Sequence, residues 1–467
     1  MDTICAISTA QGGAIGIIRI SGDQSISICD RIFKPANGNK PLADSSIRTA
    51  RYGTIVDKED NNSIIDEVIV ICYRSPHSYT GEDSAEIMCH GSSYILQKVM
   101  SLLISQGCRL ARPGEYTQRA FLNGKMDLSQ AEAVADLISS STAASHRLAM
   151  NQMRGGFSKK LRILRDKLVH LTSLMELELD FSEEDVEFAD RSEMQALFQS
   201  IDTTLSHLLD SFKIGNALKN GIPVAIIGET NVGKSTLLNQ LLHDERAIVS
   251  DIHGTTRDSI EDTIQIEGVL FRFIDTAGIR DTDDTIEHIG IDRTFKKIDE
   301  SEIVLWIIDA TDIDNTFNNI HSKILPHLND KSLIIVVNKC DLVEETDLYT
   351  TFNDLYNNSG INPDETIFIS AKNGNNLPAL ESKLLDYTHS DKFTESDVIV
   401  TNLRHAEALD HALSSLRRAK ESLLSDVPTD LVAEDLRLCI NSLGEIVGEV
   451  TNDEVLGNIF SHFCVGK

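Results

Sequence analysis

The stretch Gly228-Glu-Thr-Asn-Val-Gly-Lys-Ser235 constrains this chain more than any other. It follows the apolar run Ile222 to Ile227 and precedes a helical pattern from Thr236 to Leu242, so it reads as strand, glycine-rich turn, helix. Gly228 and Gly233 permit a tight backbone path on which successive N–H groups turn inward and wrap phosphates. The helix N-terminus adds the positive end of its dipole, Lys234 reaches the β/γ-phosphates, and Ser235 offers a hydroxyl to Mg²⁺. Asn231, Val232 and Thr236 belong to the same candidate nucleotide contact set.

Three further segments follow in order, each closing a strand-like run. Asp275-Thr276-Ala277-Gly278 ends Leu270 to Ile274, where a P-loop NTPase places its Mg²⁺-side aspartate and a γ-phosphate-sensing glycine. Asn338-Lys339-Cys-Asp341 ends Leu333 to Val337, and a carboxylate there accepts two N–H bonds from guanine, a pattern adenine does not offer. Ser370-Ala371-Lys372, after Thr366 to Ile369, places a backbone N–H near guanine O6. Together the four segments resemble a translation-factor-class GTPase domain, Ras-like with a mostly parallel α/β sheet.

A chain of 467 residues holds two to four domains, and 41% hydrophobic with 25% charged residues is ordinary globular composition. The net charge of −29 argues against broad binding of a phosphate backbone, which needs a basic face. Any nucleic-acid partner is therefore expected on a local patch or on another protein's surface. The eight cysteines include no C-x-x-C pair and read as reduced thiols. With no basic segment at Asp2 and no apolar run long enough for a bilayer, the expectation is a cytoplasmic protein without a membrane partner.

Residues 1–120 read as an α+β domain, with strands at Ile15 to Ile20 and Ile64 to Cys72 and a helix from Ser92 to Gln106. Residues 121–216 turn helical, opening on a capping box at Ser129 and Glu132. The GTPase-like stretch occupies 217–384. Helical patterns resume over 385–467, at Asn402 to Leu424 and Asp430 to Val450, with a last capping box at Thr451 and Glu454. An α/β domain inserted into one discontinuous helical domain accounts for this order.

The whole chain resembles the MnmE (TrmE) family. The resemblance rests on Asp2-Thr-Ile-Cys-Ala-Ile-Ser, Gly16-Ile-Ile-Arg-Ile-Ser-Gly22, Ser78-Tyr-Thr-Gly-Glu-Asp83, Arg112-Pro-Gly-Glu-Tyr116 and Arg119-Ala-Phe-Leu-Asn-Gly-Lys-Met-Asp127. Gly254-Thr-Thr-Arg-Asp258 and the ending Phe463-Cys-Val-Gly-Lys467 add to it. It implies an N-terminal tetrahydrofolate-binding domain that forms a homodimer, a helical domain and an inserted GTPase domain. It also implies a partner, the FAD protein of the MnmG (GidA) family. The pair would install an aminomethyl or carboxymethylaminomethyl group at C5 of uridine 34 in certain tRNAs, with 5-formyl- or methylene-tetrahydrofolate as one-carbon donor. FAD would sit on the partner alone.

Ile279 stands where Ras-like enzymes carry a water-orienting glutamine, and an isoleucine cannot hydrogen-bond water. Glu287, in the acidic loop Asp281 to Glu287, is the candidate catalytic group. Asp283 and Asp284 are possible substitutes, and the resemblance favours Glu287. Arg257 and Arg280 lie near in sequence but read as ordinary surface residues. The side-chain oxygen of Asn231 and the carbonyls of Ser250 to Thr255 suit a monovalent cation bridging the phosphates. The resemblance implies K⁺ held by Asn231, Ser250, Ile252 and Thr255, and Mg²⁺ held by Ser235 and Thr256. Asp251, His253 and Gly254 of that loop join the GTP set.

By resemblance the folate site falls on Arg19, Glu86 and Lys125, with Lys467 closing over it. A pterin offers N–H donors to a glutamate, and folate carboxylates suit arginine and lysine. Taken alone, each of these four reads as a surface charge. Cys464 invites a nucleophile reading, but it reads at least as well as a small packed hydrophobe, since no base is identifiable beside it. The rival reading is a ribosome-assembly GTPase of the Era or Der type. Those carry KH-type segments, and no G-x-x-G loop with a basic flank appears after residue 385.

Overall fold

In the computed structural model, seven strands form the first sheet: β1 (Ile4–Ile7), β2 (Ile15–Ser21), β3 (Phe33–Pro35), β4 (Ala50–Asp57), β5 (Ser63–Tyr73), β6 (Ser84–His90) and β7 (Arg109–Leu110). Their order is β3-β4-β5-β6-β2-β1-β7, antiparallel throughout except for the β1–β7 pair. Alternation along β5 decides which way the sheet faces. Val68, Val70 and Cys72 point inward, and Glu67 and Ile69 point out. Helices α1 (Ser25–Ile32) and α2 (Ser93–Ser105) cover the inner face, where Ile18, Ile20, Val68, Val70 and Ile87 meet Ile28, Leu96, Val99 and Leu103. The other face carries a row in register, Tyr52, Ile69, Met88 and Ile17, of which Tyr52 and Ile69 are exposed.

The structure describes all residues except 1, 11, 37, 39, 45, 47, 181–190, 244–261, 275–294, 296–297, 314–316, 318–323, 329–330, 345–362, 388–397, 426–428, 452, 462, 464 and 467. Two compact units emerge, one from 1–138, 151–198 and 414–467, the other from 139–150 and 199–413. Among the described residues no helix is long and apolar enough to cross a membrane.

Next in the chain come α3 (Glu115–Leu122), α4 (Leu128–Ser139), α5 (Ala143–Met153), α6 (Gly156–Asp180) and α7 (Arg191–Asn220). The capping box of α4 is not where the sequence suggested. Asp127 Oδ1 accepts the Gln130 amide at 2.9 Å, and Gln130 Oε1 accepts the Asp127 amide at 3.0 Å. Ser129 lies inside the helix, fully buried, with its backbone carbonyl and hydroxyl both facing Gln152 Nε2. A shorter-range carboxylate took the cap, because Asp at that position accepts an N–H as well as Ser does.

The second sheet holds six strands: β8 (Ile222–Ile227), β9 (Asp262–Ile266), β10 (Val269–Phe273), β11 (Ile303–Asp309), β12 (Ser332–Asn338) and β13 (Thr366–Phe368). The order β13-β12-β11-β8-β10-β9 is parallel except for β9. Continuous apolar runs such as Ile303 to Ile308 are what a strand buried on both faces requires. Helices α8 (Lys234–His243) and α9 (Leu377–Asp386) pack one face through Leu237, Leu238, Leu241, Leu380 and Leu384. Trp306 and Phe317 stack at 5.0 Å on the other. The multidomain α/β and α+β architecture expected from the sequence is thus present.

Three helices finish the chain: α10 (Leu403–Leu424), α11 (Thr429–Val447) and α12 (Asp453–Ser461). Helix α6 packs along α11 through a buried stripe, Phe157, Leu161, Leu164, Leu168, Leu171 and Met175, at helical spacing. Phe460 and Phe463 pack with Leu128, Ala131 and Leu456. That contact fixes the tail as far as Gly466, whose carbonyl accepts the Ser8 hydroxyl at 3.2 Å.

Candidate functional site

Strand β8 lies between β10 and β11, so the chain turns outward in opposite directions on its two sides, and loops leaving the carboxyl ends of these strands meet at one edge. The loop after β8 is Gly228 to Gly233. Gly228 has φ +148°, and a Cβ there would sit 2.5 Å from the Ile307 carbonyl. Gly233 has φ +102°, and its Cβ would lie 2.2 Å from Nδ2 of Asn338. Neither position admits a side chain. Asn231 also takes a left-handed backbone, φ +63°, which asparagine tolerates. The Lys234 ammonium lies across the loop and donates to the carbonyls of Gly228 at 2.8 Å and Glu229 at 2.5 Å. Ser235 and Thr236 follow in the first turn of α8. A glycine-lined cradle with an ammonium at its mouth and a helix N-terminus behind it fits a polyphosphate.

Asn338 ties this loop to two others. Its Nδ2 donates to the Val232 carbonyl at 2.8 Å, and its Oδ1 accepts the Ala371 amide at 2.9 Å. One buried side chain therefore holds the loops after β8, β12 and β13 in register. From the sequence Asn338 is a nucleotide contact; the structure gives it a bridging role that no spacing rule shows. Lys339, with φ +66°, pairs through Nζ with Asp309 Oδ2 at 2.5 Å. Burial raises the Asp309 carboxyl, but the bonds from Lys339 and from the amide and hydroxyl of Thr311 outweigh it and hold it below its ordinary range. Asp309 was missed from sequence, although an aspartate closing the apolar run Ile303 to Ile308 is the signal that should have found it.

Asp341 is exposed beyond this frame, with its carboxyl lowered by a hydrogen bond from Ser370, against slight desolvation, and by the charge of Lys372. Ser370 pairs with Asn375 through both backbone groups, at 3.2 and 3.1 Å, which closes the loop that presents Ala371 and Lys372. The structure thus brings Asn231, Val232, Gly233, Lys234, Ser235 and Thr236 to one edge with Asn338, Lys339, Asp341, Ser370, Ala371 and Lys372. Ser250, Asp251, Ile252, His253, Gly254, Thr255, Thr256, Asp275, Thr276, Ala277, Gly278 and Glu287 lie outside the described residues.

A second candidate site lies on the first sheet. Arg19 of β2 and Glu86 of β6 are cross-strand neighbours and pair at 2.9 Å. They are half-buried partners, not the separate surface charges that each looked like in sequence. The Tyr73 hydroxyl donates to Glu86 at 3.3 Å, and the Arg19 guanidinium stands 5.4 Å from the ring centre of Tyr79. With Thr80 and Ser84 these groups line a cavity of about 170 Å³. One carboxylate, one guanidinium and tyrosine rings suit a flat heterocycle with N–H donors. Lys125 is exposed and donates to the Pro76 carbonyl at 2.8 Å, and a Cβ on Gly81, in the loop that bears Tyr79, would come within 3.3 Å of its stem. Lys467 lies outside the described residues.

Below that loop is an ion network the sequence did not announce. Arg119, 4% exposed, contacts Glu82 at 3.2 Å, Glu115 at 3.0 Å and Asp2 at 2.6 Å. Glu82 in turn accepts the Ser21 hydroxyl at 2.7 Å, and Ser21 meets Thr80 at 2.7 Å. Burial pushes the Glu115 carboxyl up, yet bonds from Arg109, the Arg112 amide and Arg119 more than reverse this and bring it to about 2. The stretches that first drew attention to the N-terminal region thus largely build the support beneath the cavity.

Two family profiles match: "GTP-binding protein TrmE N-terminus" over residues 3–125 and "MnmE helical domain" over residues 128–464. The tRNA modification GTPase MnmE of Bacteroides thetaiotaomicron is 59% identical across 100% of this chain and 99% of its own length. The chain belongs to the MnmE family. The MnmE of Bacteroides fragilis is 58% identical, again across 100% of this chain and 99% of its own. Among solved structures, Aquifex aeolicus Era bound to GDP and AlF₄⁻ is 28% identical over 41% of this chain and 66% of that one, with a TM-score of 0.29. Both candidate sites fall within these matches, the cradle within the helical-domain one and the Arg19–Glu86 cavity within the N-terminal one.

Proposed function

We propose that this MnmE-family chain is a GTP-hydrolysing tRNA modification enzyme. With an FAD-bearing partner of the MnmG type, it adds an aminomethyl or carboxymethylaminomethyl group to C5 of wobble uridine 34, drawing one carbon from a tetrahydrofolate. The observation that carries the reading is the Asn338 bridge, which locks a phosphate-type cradle to the two loops positioned to read guanine. In this reading Lys234 and the loop amides bind the phosphates, Asp341 reads the base edge, and Glu287 orients the attacking water. Ser235 and Thr256 would hold Mg²⁺, and Asn231, Ser250, Ile252 and Thr255 would hold K⁺. These ions supply charge neutralisation at the phosphates.

Arg19, Glu86, Lys125 and Lys467 form the folate site of the proposal. The paired charges and tyrosine rings of the cavity support it, as does the anchoring of Gly466 on Ser8. A homodimer in the cytoplasm completes it, with the open row Tyr52, Ile69, Met88 and Ile17 as an apolar surface suited to burial. The proposed domains are 1–120, 121–216, 217–384 and 385–467. The test is mass spectrometry of tRNA nucleosides from cells lacking the protein. Loss of the C5 group, restored by the intact chain, is expected; an unaltered wobble uridine, with ribosomal subunits accumulating unassembled, would favour an assembly GTPase instead.

A further inference from the structure

Carboxylates dominate this chain, yet residues 154–170 reverse the balance with Arg154, Lys159, Lys160, Arg162, Arg165 and Lys167 against Asp166 alone. Most of this stretch is α6, whose buried stripe fixes the rotation of the helix. Lys159, Lys160 and Arg162 are left exposed, and Arg154 is exposed just before the helix. Arg165 is paired with Glu449 at 3.1 Å. Among the described residues Arg154, Lys159, Lys160 and Arg162 make no ion pair.

Helix stability does not explain their position. A helix dipole favours acidic groups at the N-terminus and cations at the C-terminus. Helix α6 has no acidic residue in its first turn and no basic residue in its last, and its C-terminal half carries Glu176, Glu178 and Asp180. The charges run against the dipole, so the positive ends of side chains and backbone reinforce each other at the start of α6. Lys159 to Arg162 spans about 4.5 Å of helix axis, so the three cations sit together within a single turn.

We infer that the start of α6 is a docking face for an RNA phosphate backbone, the local basic patch that so acidic a chain needs if it touches tRNA itself. The inference rests on the tRNA-modification reading for the identity of the polyanion and adds where on this chain the contact falls. It is backbone contact without base readout, since between Arg154 and Arg162 no aromatic or amide side chain is exposed, Phe157 being buried.

The test is binding of unmodified tRNA to the full-length chain across a salt series, comparing wild type with Lys159→Gln/Lys160→Gln/Arg162→Gln. We expect at least about tenfold weaker binding at about 0.1 M salt and a log K against log[salt] slope shallower by about 2 to 3. Melting and GTP hydrolysis should be unchanged. Arg418→Gln, which removes a cation paired with Asp435, should bind as wild type does. If the triple variant melts early, the three single variants carry the test, each expected to flatten the slope by about 0.9. Unchanged affinity and slope would overturn the inference. So would intact tRNA binding together with lost binding to the FAD protein, which would make an acidic protein surface the occupant. A chain that modifies wobble uridine while the variant binds tRNA normally would remove this face and leave the functional reading standing.

Discussion

The nucleotide cradle and the Arg19–Glu86 cavity differ in how they are assembled. The cradle is made by backbone: two glycines at positive φ, a helix start and one lysine, all within eight consecutive residues. The cavity is made by side chains from β2, β5, β6 and the Tyr79–Thr80 turn, brought together only when the sheet pairs. A backbone site is written contiguously because its geometry is local. A side-chain site on a sheet is written at separations that strand register alone decides. The first tolerates little change at its glycines; the second depends on the ion network beneath it.

The largest effect is expected at Lys234. Lys234→Ala removes a charge-assisted contact worth about 1.5–3 kcal/mol, and GTP affinity by equilibrium titration should fall about ten- to a hundredfold. Folate binding by the same protein should not move, because that cavity shares no residue with the cradle. A matched loss at both sites would break the comparison.

Next is Glu86→Gln, which removes the charge that holds Arg19 and that the proposed function offers to the pterin. Tetrahydrofolate affinity should fall by about 1.5–3 kcal/mol, with GTP affinity unchanged. Equal binding by wild type and variant in isothermal titration would remove Glu86 from the site.

The smallest effect concerns the supporting network. The Glu115 carboxyl has an ordinary value of 4.5 and is lowered in the fold to about 2. A lowered folded value means the stabilisation is fully present above about pH 4.5 and is lost as pH falls towards 2. Melting of the wild type should therefore drop through that window, and Glu115→Gln should start lower and lose less across it. Parallel pH curves for the two proteins would show that the network does not hold the cavity floor.

These differences also explain what could be read in advance. The strands Ile222 to Ile227 and Leu333 to Val337 were legible because a doubly covered strand must be apolar throughout, and their loops followed with them. Strand β5 was legible by alternation. Asn338 was visible as part of a motif, but its bridge to Val232 and Ala371 was not, since residues more than 30 apart carry no local signal of contact. The α4 cap slipped by two residues because Asp127 and Ser129 satisfy the same pattern, and only packing against Gln152 decided between them. At the cavity, Tyr73 and Tyr79 were invisible for want of any contiguous pattern. The members of the Arg119 network were visible only as parts of the stretches that carry the family resemblance, with no local sign that they pair.

The central claim is that two sites of such different construction serve one reaction. It is tested most directly by nucleoside mass spectrometry of tRNA from cells whose only copy carries Lys234→Ala or, separately, Glu86→Gln. Loss of the C5 group on wobble uridine in both strains, with each protein present at wild-type level, is the predicted result. Full modification in either strain would contradict the claim, by showing that the site it lacks is not needed for the reaction.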